Sequence, residues 1–353
     1  GNLLMSDGRL DLVASSTAAV TETFGTVTSN WGGGEIRVTT TDQPATIVGS
    51  SLSIASSGGG SLLFRAVGSG SAFGSAANTV RFTTAPTLTN GLVLGGFVND
   101  AAGVNFATYG PSVSGSSIQA FTAYDTSNNL VIATATATPR LTASVGTPTR
   151  TVNALATSGT VTLSAGLGTP TLTLSAGELL VSGGAATLAS DVVVAGPTSD
   201  FQLAVTDGAS LTVAGPLVNA FNVNRVLGGT LTFTGRQYFN TSSNWFTING
   251  NGGTTVLAAG DNTLYPGQGT PGVAQALVVG ANATLDLNGN VQIIGALRSG
   301  SNVPYAGAAG TVTSASSATL VVRAINNPDQ WGGRITGAIT YVQNATGNTR
   351  QFY

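Results

Sequence analysis

Side chains able to do acid–base or nucleophilic chemistry are scarce in this chain, so their spacing is weighed first. The one local concentration of acids is Asp191, Asp200 and Asp207. Clustered carboxylates cleave glycosidic bonds when two stand at a defined separation across the sugar. Here Asp207 belongs to an Asp-Gly pair, an ordinary turn, and Asp191 opens an apolar run. No Lys or second dense acid group accompanies them, so turn chemistry outweighs catalysis. Asp286, Asn288 and Asn290 offer oxygens of the kind calcium takes, but a calcium loop needs about six to eight ligands and a bidentate acid. Asp286 alternates within a strand-like run, which favours a stacked Asp/Asn turn. Trp31, Trp245 and Trp331, with Tyr238 and Tyr265, would suit either a sugar-stacking strip or packing against Gly-rich turns, and packing is favoured. Asn240-Thr-Ser242, Asn282-Ala-Thr284 and Asn344-Ala-Thr346 fit the glycosylation acceptor pattern, which a Thr-rich chain generates by chance. No catalytic, cofactor-binding or metal-binding residue is assigned, and no cofactor is expected.

Composition narrows the chemistry further. His and Cys are absent, and all twelve basic residues are Arg. That removes the thiol nucleophile, the imidazole base, the disulfide and the usual nitrogen–sulfur zinc site. Without Lys there is neither a Schiff base nor a Lys-Asn isopeptide staple. A net charge of -2 supplies no field to hold phosphates, so nucleic acid is excluded as a partner. Only 7% of residues are charged, against about 25% in ordinary domains, leaving a neutral coat of Thr, Ser and Asn to face solvent. Hydrophobic residues still make up 42%, enough to fold. Apolar runs such as Glu178-Leu-Leu-Val181 and Asp191-Val-Val-Val194 fall far short of the ~20 residues of a membrane-spanning helix, and no membrane insertion is expected. The start, Gly1-Asn2-Leu3 with no basic-then-apolar leader, reads as that of a processed or internal piece.

The elements that would position such residues are strands. From about Val145 onward, runs of four or five residues alternate Thr or Ser with Leu, Val or Ile and end in a Gly-centred turn. Thr160-Val-Thr-Leu163, Thr171-Leu-Thr-Leu174, Ala186-Thr-Leu188, Phe201-Gln-Leu-Ala-Val205, Ser210-Leu-Thr-Val213, Thr230-Leu-Thr-Phe233, Ala276-Leu-Val-Val279, Ala283-Thr-Leu-Asp-Leu287 and Thr319-Leu-Val-Val322 all fit, each predicting a strand with one buried face. Ser182-Gly-Gly184, Asp207-Gly208, Gly228-Gly229, Asn249-Gly-Asn-Gly-Gly253 and Asn288-Gly289 punctuate them as tight turns. Period alone does not separate a sandwich from a solenoid. Composition favours the solenoid, which stacks small Thr, Ser, Asn, Gly, Val and Leu in like-on-like ladders. The expected fold class is all-β, a parallel β-helix or β-solenoid with a less regular β lobe. Coils of ~22 residues are expected.

Three segments are distinguished: solenoid coils over 1–67, an irregular aromatic-rich β lobe over 68–144, and solenoid coils over 145–353. Gly8-Arg-Leu-Asp-Leu-Val13, Glu35-Ile-Arg-Val38 and Ser61-Leu-Leu-Phe64 carry the strand pattern in the first, and Phe73, Phe82, Phe97, Phe106, Tyr109, Phe121 and Tyr124 mark the second. Asn30-Trp-Gly-Gly-Gly-Glu-Ile36 echoes Gln330-Trp-Gly-Gly-Arg-Ile335 near the other end.

Gly228-Gly-Thr-Leu-Thr-Phe-Thr-Gly235, Thr284-Leu-Asp-Leu-Asn-Gly289 and Trp331-Gly-Gly-Arg-Ile-Thr-Gly337 resemble the repeat phrases of the autotransporter-associated β-strand repeat proteins, giant surface passengers of Gram-negative bacteria. Asn78-Thr-Val-Arg-Phe-Thr-Thr-Ala-Pro-Thr-Leu88 and Phe106-Ala-Thr-Tyr-Gly110 look like a module common in them. The ending, Ala345-Thr-Gly-Asn-Thr-Arg-Gln-Phe-Tyr353, departs from the usual repeat. The resemblance implies an extracellular, surface-localised, β-helical structural or adhesive protein without enzymatic activity. The expected partner is a further copy, joined head to tail into a filament; the alternative is a carbohydrate-binding adhesin that holds surface glycans.

Overall fold

The structure is a computed structural model that describes all residues except 31, 56–58, 69–71, 167, 198–199, 219–221, 239–244, 249–251, 265–275, 300–308, 324–329, 344–350 and 353. It contains no helix among the described residues; its parallel sheets stack as a β-solenoid of about 12 turns. The chain divides into two compact units, Gly1–Ala123 and Tyr124–Tyr353.

In the first unit each coil gives one strand to each of two sheets. One runs Leu3–Met5, Val20–Ser29, Ala45–Ile54 and Asn78–Phe82, all parallel. The other runs Gly8–Val13, Gly34–Thr40, Leu62–Gly68 and Gly96–Asp100, likewise parallel. Alternation sends every second residue inward, and register stacks Leu10, Ile36, Phe64 and Val98 in one column. The outward residues gather the scarce charges: Arg37 Nε lies 3.2 Å from Glu35 and 3.6 Å from Asp11, and Arg65 Nε lies 2.7 Å from Glu35. Such exposed pairs add little stability, but they keep Arg37 and Arg65, opposite each other in register, from repelling unopposed.

The parallel stack of the first unit then changes direction. Gly103–Ser112 and Gly115–Ala120 continue the second sheet as an antiparallel hairpin, and Phe106 packs opposite Phe97 at 6.1 Å between ring centroids. The hairpin's Tyr109 hydroxyl donates to Phe82 O at 2.9 Å and accepts from Phe82 N at 3.1 Å. One phenol thus satisfies both backbone groups of a residue on the last rung of the first sheet, where no further coil follows. The clustered aromatics read from the sequence therefore close a stack: Asn78–Phe82 and Gly96–Asp100 are its last parallel rungs, and the hairpin ends it.

The second unit has three faces. The first comprises Arg140–Leu141, Leu155–Thr157, Glu178–Val181, Phe201–Val205, Val223–Val226, Trp245–Ile248, Ala276–Val279 and Ala296–Arg298. The second runs from Val145–Thr147 through Val161–Ala165, Ala185–Leu188, Ser210–Val213, Thr230–Phe233, Thr254–Leu257 and Thr284–Asp286 to Thr311–Val322, which also pairs with Val291–Ile294 and Arg334–Gln343. The third is Arg150–Val152, Thr171–Leu174, Val193–Ala195 and Leu217–Val218. Every pairing is parallel, as a solenoid requires and a sandwich does not. Side-chain hydrogen bonds between successive coils from Val152 to Asn224 span 22 to 25 residues, and the register interval widens to 30 from Thr254 to Thr284. Columns such as Leu163, Leu188, Val213, Phe233 and Leu257 fill the core like on like.

Two substitutions of element type adjust this plan. Among the described residues the third face has no ladder between Leu217–Val218 and Val291–Ile294 beyond a single bridge of Gln237 to Leu264, and side-chain amides stand in for rungs there. Buried Gln237 accepts from Leu217 N at 2.9 Å and donates to Gly235 O at 2.9 Å. Buried Gln292 accepts from Leu264 N at 3.1 Å and donates to Leu264 O at 2.8 Å. A carboxamide carries the same donor and acceptor as a backbone residue, so the backbone pairing is replaced group for group. At the start of the unit, Leu130 and Ala133 insert into the core, held by Arg150 Nε donating to Ala133 O at 2.8 Å. At the other end, Arg334–Gln343 is mostly exposed and, among the described residues, pairs only with Thr311–Val322.

Leu211 lies fully buried within a column while Thr212 faces outward on the same rung. Leu211→Ala is expected to cost about 2–5 kcal/mol in urea unfolding, and Thr212→Ala no more than about 0.5 kcal/mol. Equal costs would mean that the rung does not face inward as described.

Candidate functional site

The first face of the second unit departs from the single-buried-face pattern expected of its strands. Glu178–Val181, Phe201–Val205 and Val223–Val226 are buried at every position. Leu179, Val181, Phe201, Leu203, Val205 and Val223 belong to the core. Alternation then puts Glu178 and Leu180, Asp200, Gln202 and Ala204, and Asn222, Asn224 and Val226 on the outer side. That side is covered as well, and it holds the polar residues. Glu178 stands beside Gln202 and Gln202 beside Asn224 in register. Asp200 Oδ1 accepts from Asn222 Nδ2 at 2.8 Å, and its Oδ2 from Asn224 Nδ2 at 3.0 Å. Two buried carboxylates and three carboxamides thus share one patch on consecutive coils.

The inward side of the same strands holds a second polar residue. Arg225 pairs in register with Leu203 and Ile248, placing a guanidinium in an aliphatic column with no exposure at all. Its Nη2 donates to Gly229 O, while its Nε and Nη1 have no hydrogen-bond partner. Burial pushes its pKa down to about 9, with the Asp207 carboxylate opposing the shift. Gly253 lies against the guanidinium so closely that a Cβ there would overlap it. Gly253 thus provides room for a buried cation.

The carboxylates singled out from the sequence are not brought together. Asp191 is exposed at a turn, and Asp207 is exposed in an Asp-Gly turn with Gly208 at φ 75°. Asp200 alone is buried, and its partners are Asn222 and Asn224. Asp286 Oδ1 accepts from Asn288 N at 2.8 Å, and Asn288 and Gly289 take φ of 49° and 78°. Asn290 Nδ2 donates to Leu257 O at 2.8 Å. This is the stacked Asp/Asn turn expected. Trp331 is buried in the core, as packing predicts, whereas Tyr238 is half exposed. Trp31, Tyr265 and the Trp245 side chain lie outside the described residues, as do Asn240 and Asn344; Asn282 is exposed at φ 64°.

An open cleft of about 580 Å³ lies near the start of the second unit, lined by Val131, Thr147, Pro148, Thr149, Thr169 and Pro170, with Gly146 and Gly166. No charged side chain lines it. Thr147 Oγ1 is buried beside it without a hydrogen-bond partner, so the cleft suits a neutral ligand with hydroxyl groups. No protein-family model, curated protein or solved structure matches the chain.

Sequence reasoning missed Glu178, Gln202, Asn222, Asn224 and Arg225. Glu178 was read as the lip of an apolar run, and Val223–Val226 was not recognised as a strand. The usable signal was spacing: Glu178, Gln202 and Asn224 recur at the coil interval already visible in the Leu columns.

Gly253→Ala is expected to destabilise the protein by about 1–3 kcal/mol through overpacking. In an Arg225→Ala background the added methyl has room, so most of that cost should vanish in a double-mutant cycle of urea unfolding. An unchanged cost in both backgrounds would show that the glycine serves some other purpose.

Proposed function

We propose that this chain is a non-catalytic structural segment of an extracellular β-solenoid that joins end to end into a filament at a bacterial surface. The observation that carries the reading is the pair of open strand edges. Among the described residues, Leu3–Met5 and Gly8–Val13 each pair on one side, as does Arg334–Gln343. By contrast, the hairpin at Gly103–Ala120 ends one stack, and Leu130 and Ala133 plug the beginning of the other. An open parallel edge is a template for another strand, and a heterologous contact between two different edges propagates without closing. Leu3–Met5 carries no charged residue and Arg334–Gln343 only Arg334, which supports the reading, because Lys or Glu along an edge is the common means of blocking such pairing. The resemblance to autotransporter-associated repeat passengers, and with it the Gram-negative cell surface, belongs to the same proposal.

A second reading, a glycan-holding adhesin, is favoured by the uncharged cleft between Val131 and Pro170. Binding on a glycan array that is lost on Thr147→Val would support it, since the substitution removes only the hydroxyl.

Electron microscopy and light scattering of the purified chain test the filament. Particles are expected to lengthen with concentration. Thr340→Lys, at an exposed position of the Arg334–Gln343 strand, should weaken association by about tenfold or more without lowering Tm. Particles that stay monomeric at every concentration would overturn the proposal.

A further inference from the structure

The buried polar patch on the outer side of the second unit's first face has a chemistry that the filament reading does not use. Glu178, Gln202 and Asn224 occupy one register position on three successive coils, with Asp200 and Asn222 two residues earlier, just before their strands. None is more than 5% exposed. The Asp200 carboxylate is fixed by the two amide donors of Asn222 and Asn224.

Asn224 is the informative member. Its Nδ2 is committed to Asp200, so its Oδ1, on the same amide carbon, lies beside that carboxylate and has no hydrogen-bond partner. A buried acceptor in that state is costly and rare in native structures. Turning the amide over does not relieve it, because Oδ1 would then face a carboxylate oxygen with like charge. What the oxygen requires is a hydrogen-bond donor or a cation, and beside a carboxylate a cation is favoured.

The ladder supplies the dimensions. Neighbouring rungs stand ~4.8 Å apart, and calcium binds oxygen at ~2.4 Å, so an ion midway between two coils reaches oxygens from both. Magnesium needs ~2.1 Å and near-ideal octahedral geometry, which a column of this spacing serves poorly. No group of three or more acidic side chains forms among the described residues, so carboxylates alone do not make a site. Two carboxylates supplemented by amide oxygens do offer a hard-oxygen set.

We propose that this column binds a divalent cation of calcium size, held by the Asp200 and Glu178 carboxylates with the Asn224 and Gln202 amide oxygens. The ion staples consecutive coils of the first face together. The proposal does not depend on filament formation.

The test uses the full chain, stripped with EGTA and then melted with and without about 5 mM calcium chloride, magnesium chloride serving as comparison. Isothermal titration with calcium follows binding directly. Calcium is expected to raise Tm by about 5 °C, magnesium by clearly less, with one class of site in the titration. Asp200→Asn and Glu178→Gln, each keeping side-chain size while removing charge, should each weaken calcium binding at least about tenfold. If one variant does not fold, the other variant and the wild-type titration still decide. Absence of calcium heat and of any Tm shift in the wild type would overturn the proposal. So would calcium binding that survives a folded variant unchanged.

Discussion

A backbone N–H or C=O buried without a partner is expensive, and in a parallel coil it has nowhere to turn but to the coil above or below. Each strand of this protein depends on that arrangement. Leu179 can sit on Leu155 and beneath Leu203 only because the strands carrying them are in hydrogen-bonded register, and the column of side chains follows from the ladder of amides. Local sequence therefore matters less for its own propensity than for where it falls on the coil. A residue is placed by its distance along the chain from its counterpart a turn earlier, whatever its chemical type.

That dependence explains what can be read from the residues and what cannot. Where one side of a strand faces water, the alternation is visible: Thr171–Leu174, Ser210–Val213 and Thr230–Phe233 all show an outward Thr or Ser beside an inward Leu, Val or Phe, and the sequence displays the same beat. The strands were legible for that reason, with their Asn-Gly and Asp-Gly corners, and the stock of small Thr, Ser, Asn, Gly, Val and Leu favoured a solenoid over a sandwich. The first face of the second unit was not, because its strands are covered on both sides and the beat disappears. Val223–Val226, with Asn and Arg between two valines, reads as nothing in particular until register sets Asn224 beside Gln202 and Arg225 beside Leu203. The polar patch was illegible for the same reason, its members being some two dozen residues apart.

The two polar intrusions on that face are handled differently. On the outer side, carboxylates and carboxamides meet one another, and hydrogen bonds carry much of the cost of burial. On the inner side, Arg225 meets aliphatic neighbours, and the accommodation is steric: Gly253 gives room, and the guanidinium donates one hydrogen bond, to the Gly229 carbonyl. A buried charge of this sort is weak evidence of stabilisation. Its effect is on specificity, since a slip of the ladder by one residue would turn Arg225 outward and bring Asn224 into the core.

Gln237 and Gln292 have a consequence of another kind. A strand ties the length of its turn to that of its neighbours, because several consecutive amides must line up at once. A single carboxamide bridges a corner through one point of attachment and leaves the remainder of that turn unconstrained. Between Leu217 and Val291, the chain is therefore free to vary in circumference along one side while the other two sides keep step. Insertions and deletions should be absorbed there at little cost, and grafted peptides should be tolerated on that side before either of the others.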